Sequence, residues 1–407
     1  MNKNLCKSTT EVNINISTFE NAIAWALNEG YGIACYRLPE SACFQLMIDI
    51  SGKPMRCQEE IEQLPTGFIF SPFDNQEPRD AFYLTAHLML KSGENEASCN
   101  AEEYYPQRDA LNQYLQNTAE TPPFRYHQPT ENSDPAITPR AEFIRLVNEG
   151  IEQIENGHFL KFVPSRTKAV SLAQFQLVEN LKQMATEYPN AFVSFVSIPD
   201  VGSWIGATPE ILMHMDQQSV FHTVALAGTQ PFPEDGDLKN VAWRQKEIEE
   251  QALVSRYIIN ILKKLRIREF IEKGPKTVKA GNLIHLKTTF EIDTKTISFP
   301  DLGNVMLRLL HPTSAVCGMP LEASEQFLKA EEKYDRAFFA GYLGPINAEG
   351  ESYAFVNLRC MQILGDHAIL YAGAGVTADS SPEKEWTETE LKCNTVGKII
   401  QTPRESN

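Results

Sequence analysis

"SYAFVNLRCMQILGDHAILYAGAGV", residues Ser352 to Val376, sets two apolar runs rich in β-branched and aromatic residues end to end, with no helical stretch between them. Each run predicts a strand, and strands joined without a helix pair in antiparallel or mixed sheets. The pattern recurs at the other end of the chain. After a helical segment, FENAIAWALNEG with Gly30 as its stop, the stretches YGIACYRL, FQLMIDIS, GFIFSPF and AFYLTAHLML all read as strands. AFVSFVSI adds another, the stretch 238–265 reads as a long helix, and the last helix is predicted from Pro382 to Ile400. Helices and strands are interspersed, but the adjacent strand pairs argue against a doubly wound parallel sheet.

Residues 1–116 form a first part of this α/β pattern. Residues 117–140 hold five prolines and little apolar periodicity, which predicts a linker or long surface loop. Residues 141–402 form the remainder. A helix is expected at its start, with Thr138 as N-cap, Pro139 in the first helical position, Ile144, Val147, Ile151 and Ile154 on one face, and Asn156-Gly157 as the stop. FLKFVPSR follows as a strand, with one lysine, Lys161, among large apolar residues.

The 407 residues are 42% hydrophobic and 22% charged, an ordinary globular composition. The formal net charge of −16 repels nucleic acid and anionic lipid, so neither is expected as a partner. An anionic substrate would need local cations or a metal. The eight cysteines show no CxxC or zinc spacing and read as reduced thiols. The N-terminus is too polar for a signal peptide and no apolar run reaches bilayer length, so a cytoplasmic protein is expected.

Several groups could carry chemistry. Glu247 and Glu250 stand three apart on one predicted helix, as do Glu385 and Glu388 on another; each pair shares a helix face. Four carboxylates from two helices suit Mg²⁺, although such pairs are also ordinary solvated surface. Gly373 and Gly375 lie between a strand and a helix start, where backbone N–H groups can meet an anion; a tight turn explains them equally. Lys392 lies one turn beyond Glu388. Arg359, predicted on a strand among apolar residues, calls for an acidic partner, internal or a ligand carboxylate. Glu210, in GATPEIL, is either an acid with a raised pKa or a helix-start glutamate. His285 could be a core histidine, Cys317 reads as core, and the acid-rich AEEKYDR, residues 330–336, reads as solvated surface.

Taken in order, FLKFVPSR, GATPEIL, ALAGTQP, KEIEEQALV, LIHL, HPTSAVCG, FFAGYLG, LRC and AGAGVTADSSPEKEWTETELK resemble the chorismate-utilising enzymes, the isochorismate, salicylate, anthranilate and aminodeoxychorismate synthases. The resemblance covers roughly residues 140–400. It implies a large layered sandwich of two mostly antiparallel sheets flanked by helices. It implies Lys161 as the base that activates water, where ammonia-using relatives carry glutamine. Ala227 stands where aminodeoxychorismate-forming relatives carry a lysine nucleophile. Together these imply isochorismate formation, with Glu210 as the proton donor to the leaving hydroxyl. The same resemblance implies Mg²⁺ on Glu247, Glu250, Glu385 and Glu388, and substrate contacts from Gly228, Thr229, His285, Arg359, Gly373, Gly375 and Lys392. Burial of Lys161 among Phe159 and Phe162 is expected to favour its neutral amine. The GTRPR of many relatives is Gly228-Thr229-Gln230-Pro231-Phe232 here, without either arginine. Salicylate synthase, or a chorismate-binding protein without catalysis, are the alternatives. A monomer with no glutaminase subunit is expected, serving menaquinone or siderophore synthesis.

Overall fold

The computed structural model describes residues 16–57, 60–75, 80–130, 135–233, 236–238, 241–280 and 283–401. Two large sheets face each other. The first has nine strands, in the order Ser98–Cys99, Leu88–Lys91, Gln45–Asp49, Gly32–Arg37, Phe192–Ile198, Gly202–Thr208, Cys360–Leu364, His367–Gly373 and Ser165–Ser171. The second has eight, in the order Ile271–Ala280, Leu283–Asp293, Val220–Pro231, Ile211–Met215, Ser352–Val356, Tyr342–Ile346, Gly67–Ser71 and Phe82–Thr85. Neighbouring strands run antiparallel throughout, as in Gly32↔Asp49 and Ile211↔Phe355. The early strands are threaded through both sheets: Gly32–Arg37 pairs with Phe192–Ile198, and Gly67–Ser71 with Tyr342–Ile346.

Period-2 alternation splits each central strand of the first sheet between two cores. Ala34 and Tyr36 face the second sheet, where Phe192 stacks on Phe355 at 4.2 Å and Phe70 on Phe338 at 3.9 Å. Ile33 and Cys35 face outward, into a second cluster shared with the helices Ile16–Asn28, Leu177–Glu187 and Pro382–Gln401. Both faces are covered, so these strands read as continuous apolar runs rather than alternating ones. The helix Gln245–Lys264 lies against the second sheet, where the buried Gln251 donates to Ala225 O (3.1 Å) and to Thr288 Oγ1 (3.0 Å).

Four local expectations are corrected. The run Ser352–Leu364 is two strands, not one: Ser352–Val356 belongs to the second sheet and Cys360–Leu364 to the first, with Asn357 to Arg359 crossing between them. Arg359 therefore lies on no strand; it sits in the crossover at φ +49°. Pro139, not Thr138, caps the helix Arg140–Glu155, and the Thr138 hydroxyl instead meets Thr167 Oγ1 at 3.1 Å. AEEKYDR is not all surface. Glu332 and Arg336 form a buried ion pair, their side chains 5% and 3% exposed, with Glu332 also accepting from Ser165 N and Oγ. The predicted helix at 238–265 begins at Gln245.

The stretch 117–130 lies as a strap along the first sheet and its helices. Thr121 Oγ1 donates to Asn21 Oδ1, His127 Nε2 meets Tyr31 O at 2.9 Å, and Pro129 bridges to Val201. Among the described residues the seven cysteines are free thiols; Cys6 lies outside them. No described helix is long and apolar enough to cross a membrane.

Candidate active site

The Lys161–Phe162 segment is a two-residue strand inserted between two other pieces of chain. It pairs with Gly318–Met319, and Phe162 exchanges backbone hydrogen bonds with Val376. The Lys161 carbonyl also accepts from Ser324 Oγ at 3.0 Å. Three of the motif stretches, around Lys161, Cys317 and Val376, thus meet at one point and fix where the lysine emerges. Successive side chains leave a strand on opposite faces. Phe162 turns inward against Phe159 and Phe327. Lys161 turns the other way, 17% exposed, and its Nζ donates to Glu250 Oε1 at 3.2 Å. The expected apolar sheath around this amine is absent: its partner is a carboxylate.

Glu210 follows the strand Gly202–Thr208 at its end. Its N–H donates to Thr208 Oγ1 (3.3 Å), its carbonyl accepts from Val356 N (2.9 Å), and Thr208 Oγ1 donates to Val356 O (2.6 Å). Thr208 is a supporting residue that sequence reasoning passed over, although it sits inside GATPEIL. Burial of the Glu210 carboxyl raises its pKa to about 6, against the opposing pull of Lys161, Lys392 and Arg359. The carboxyl therefore lies within the field of all three cations.

Lys392 projects from the helix Pro382–Gln401. It donates to Gly373 O at 2.8 Å and pairs with Glu388 Oε1 at 2.6 Å, one turn back. Burial lowers its pKa, opposed by Glu388 and assisted by Arg359. Burial also lowers that of Arg359, opposed by Glu388 and Glu210. The Arg359 guanidinium makes no hydrogen bond or ion pair among the described residues, although it is desolvated and feels the charges of Glu388 and Glu210. Burial lowers the pKa of His285, against a hydrogen bond with the Gly228 backbone and with Arg359 adding to the shift.

Gly228 forms a bulge. The register between Val220–Pro231 and Leu283–Asp293 slips between Ala227 and Thr229, which brings Thr229 opposite His285. At φ +68° the position favours glycine, and a Cβ there would lie 3.1 Å from Glu247. Gly375 is needed for close approach: a Cβ would stand 3.2 Å from Lys161 Cε. Its exposed N–H has no partner among the described residues, whereas Gly373 offers its carbonyl to Lys392.

The four predicted metal acids are placed less compactly than expected. Glu247 accepts the Arg244 N–H at 2.9 Å as part of the helix cap, Glu250 holds Lys161, Glu388 holds Lys392, and Glu385 lies one turn before Glu388. In kind, four carboxylates suit a hard dication. Among the described residues, however, no three His, Cys, Asp or Glu side chains are gathered closely enough to hold a metal ion. Glu250 and Glu388 each give one carboxylate oxygen to an ammonium group.

The family profile described as chorismate binding enzyme matches residues 57–401. The chain belongs to the chorismate-binding enzymes. Among curated members of this family, isochorismate synthase DhbC of Bacillus subtilis (strain 168) is 31% identical over 264 residues, covering 61% of this chain and 65% of that one. Isochorismate synthase EntC of Escherichia coli (strain K12) is 29% identical over 221 residues, covering 53% and 56%. The chain thus spans between half and two thirds of the length of these curated relatives. Among solved structures, MenF, the menaquinone-specific isochorismate synthase from Escherichia coli, superposes with a TM-score of 0.71 at 19% identity, covering 93% of this chain and 91% of that one. Anthranilate synthase component I from Streptococcus pneumoniae TIGR4 gives 0.65 at 18%, covering 90% of each. At these identities the superpositions speak to the chorismate-binding fold, two layered sheets with helices outside, and not to which reaction the fold performs.

Proposed function

We propose that this chain is an isochorismate synthase that adds water at C2 of chorismate and expels the C4 hydroxyl. The observation that carries the reading is the Glu210 carboxyl, raised to about 6 and set in the field of Lys161, Arg359 and Lys392. An acid that can still hold a proton near neutrality, beside a lysine and two further cations, suits a dicarboxylate that must gain water on one carbon and lose hydroxide from another.

In this reading Lys161 first gives up its own proton to solvent, and the resulting amine takes a proton from water as the water oxygen bonds to C2. The ring double bonds shift, the C4–O bond breaks, and Glu210 gives its proton to the departing hydroxide. One water enters and one leaves, with no redox change. Arg359, Lys392 and the Gly375 N–H bind the substrate carboxylates and supply the local attraction that a net charge of −16 opposes. The Gly228–Thr229 bulge and His285 line the ring side. Mg²⁺ bound by Glu247, Glu250, Glu385 and Glu388 would neutralise charge on a substrate carboxylate. We further place the enzyme in the cytoplasm, as a monomer without a glutaminase subunit, at the head of menaquinone or catechol siderophore synthesis.

The test is incubation of the purified protein with chorismate, with and without Mg²⁺, and chromatographic separation of products. Isochorismate formed only with the metal is the expected result. Salicylate with pyruvate would move the reading to salicylate synthase, and unchanged chorismate would overturn it.

A further inference from the structure

The last residue of FLKFVPSR has no part in the chemistry above, yet it is among the most constrained side chains in the molecule. Arg166 is 2% exposed. Its Nε donates to Thr389 Oγ1 at 2.6 Å and its Nη2 to Glu390 Oε1 at 2.6 Å, while its guanidinium lies 3.9 Å from the centre of the Trp386 ring. All three partners belong to the helix Pro382–Gln401. Thr389 is itself fully buried and donates onward to Trp386 O at 2.7 Å. Glu390 is also held by Lys168, two residues along the same strand as Arg166.

At 100° per residue, Trp386, Thr389, Glu390 and Cys393 occupy one face of that helix, while Glu385, Glu388 and Lys392 occupy a face about a third of a turn away. The face gripped by Arg166 therefore sets the rotation and depth of the face that carries Lys392, which reaches Gly373 O. We infer that Arg166 is a positioning residue, which seats the C-terminal helix so that Glu385, Glu388 and Lys392 stand at the working geometry. The inference rests on the proposed function for what those residues bind. A planar guanidinium can reach a hydroxyl and a carboxylate while lying flat on an indole; a lysine ammonium cannot do all three. Displacements near 1 Å at a reacting centre cost on the order of a hundredfold in rate.

The variants are Arg166→Lys, which keeps the charge, and Thr389→Val, which removes one contact from the helix side. Both are compared with the wild type well below their melting temperatures, with folded content checked by circular dichroism. The measurements are KM for chorismate and, separately, Mg²⁺ affinity by calorimetry. The expected result is a rise in KM and a loss of Mg²⁺ affinity of tenfold or more for Arg166→Lys. A shift in the same direction, but smaller, is expected for Thr389→Val. Folded variants with lowered melting temperatures but wild-type KM and Mg²⁺ affinity would overturn the inference. Failure of the proposed function shows separately, as wild-type protein that leaves chorismate unchanged; the metal titrations then still judge the role of Arg166.

Discussion

Two ion pairs flank the strand that carries Lys161, and they are built on opposite principles. On one side Arg336 and Glu332 are almost wholly enclosed. Every polar atom of that pair has work: Arg336 binds both Glu332 oxygens, Val316 O (2.9 Å) and Val163 O (2.7 Å), and Glu332 accepts from Ser165. On the other side Lys161 and Glu250 share one contact at 3.2 Å, with side chains 17% and 38% exposed. The enclosed pair is saturated and cannot exchange partners without leaving a bare charge in the core. The open pair is under-saturated, and Arg359 makes no hydrogen bond or ion pair among the described residues. Rigidity on one side and unmet charge on the other is what a site needs if it is to bind an anion without collapsing around its own acids.

Substitutions separate the two principles. The largest effect belongs to the open side. Lys161→Ala and Glu210→Gln are each expected to lower kcat by about 10²–10⁴ while leaving the circular dichroism spectrum unchanged. Near-normal turnover by either would remove that residue from the mechanism. Next comes the enclosed side: Arg336→Met strands Glu332 and is expected to lose about 3–5 kcal/mol in urea unfolding. A loss under 1 kcal/mol would mean that the pair is not the anchor described. Arg359→Ala removes a cation that makes no hydrogen bond or ion pair among the described residues. Its expected signature is a 10–100-fold rise in KM, equivalent to about 1.5–3 kcal/mol, with little change in melting temperature.

Glu210 offers a smaller test with a definite sign. Its folded pKa of about 6 lies above the ordinary 4.5, so its contribution to stability is complete below 4.5 and is lost as pH rises through about 6. Glu210→Gln should therefore be more stable than wild type at pH 7, by on the order of 1–2 kcal/mol, and equal to it at pH 4. The proton-donating form disappears over the same range. Log kcat/KM should carry a descending limb near pH 6 that the residual activity of Glu210→Gln lacks. The smallest effect is expected from Gly375→Ala, whose methyl would press on Lys161 Cε at 3.2 Å. A few-fold drop in kcat, about 1 kcal/mol, would be its reading in the same assay.

The sequence was legible where one local rule decided the outcome. The last helix was expected from Pro382 to Ile400 and runs Pro382–Gln401, because proline starts it and an apolar face runs along it. Antiparallel pairing was legible from strands joined without helices. It failed where a decision belonged to tertiary context. Nothing in SYAFVNLRCMQIL marks the point at which the chain leaves one sheet for the other, since both halves are buried on both faces. Phe162 adjoins Lys161 in sequence but not in space, because the pleat sends it to the other side, and Phe159, which precedes the two-residue strand, packs on the Phe162 ring. Glu332 and Arg336 resembled surface charge, since a four-residue spacing fits an exposed helix and a buried clamp alike.

The pairing of Gly67–Ser71 with Tyr342–Ile346 has a consequence for biosynthesis. That early strand can take its native place beside its later neighbour only after residue 346 has emerged from the ribosome. At about 5–20 residues per second, the wait is roughly 15–60 s. Throughout it, an apolar ribbon, GFIFS, lies with one hydrogen-bonding edge open. The nascent chain is thus a natural client for chaperones, and slowing its translation would lengthen the interval in which it can aggregate.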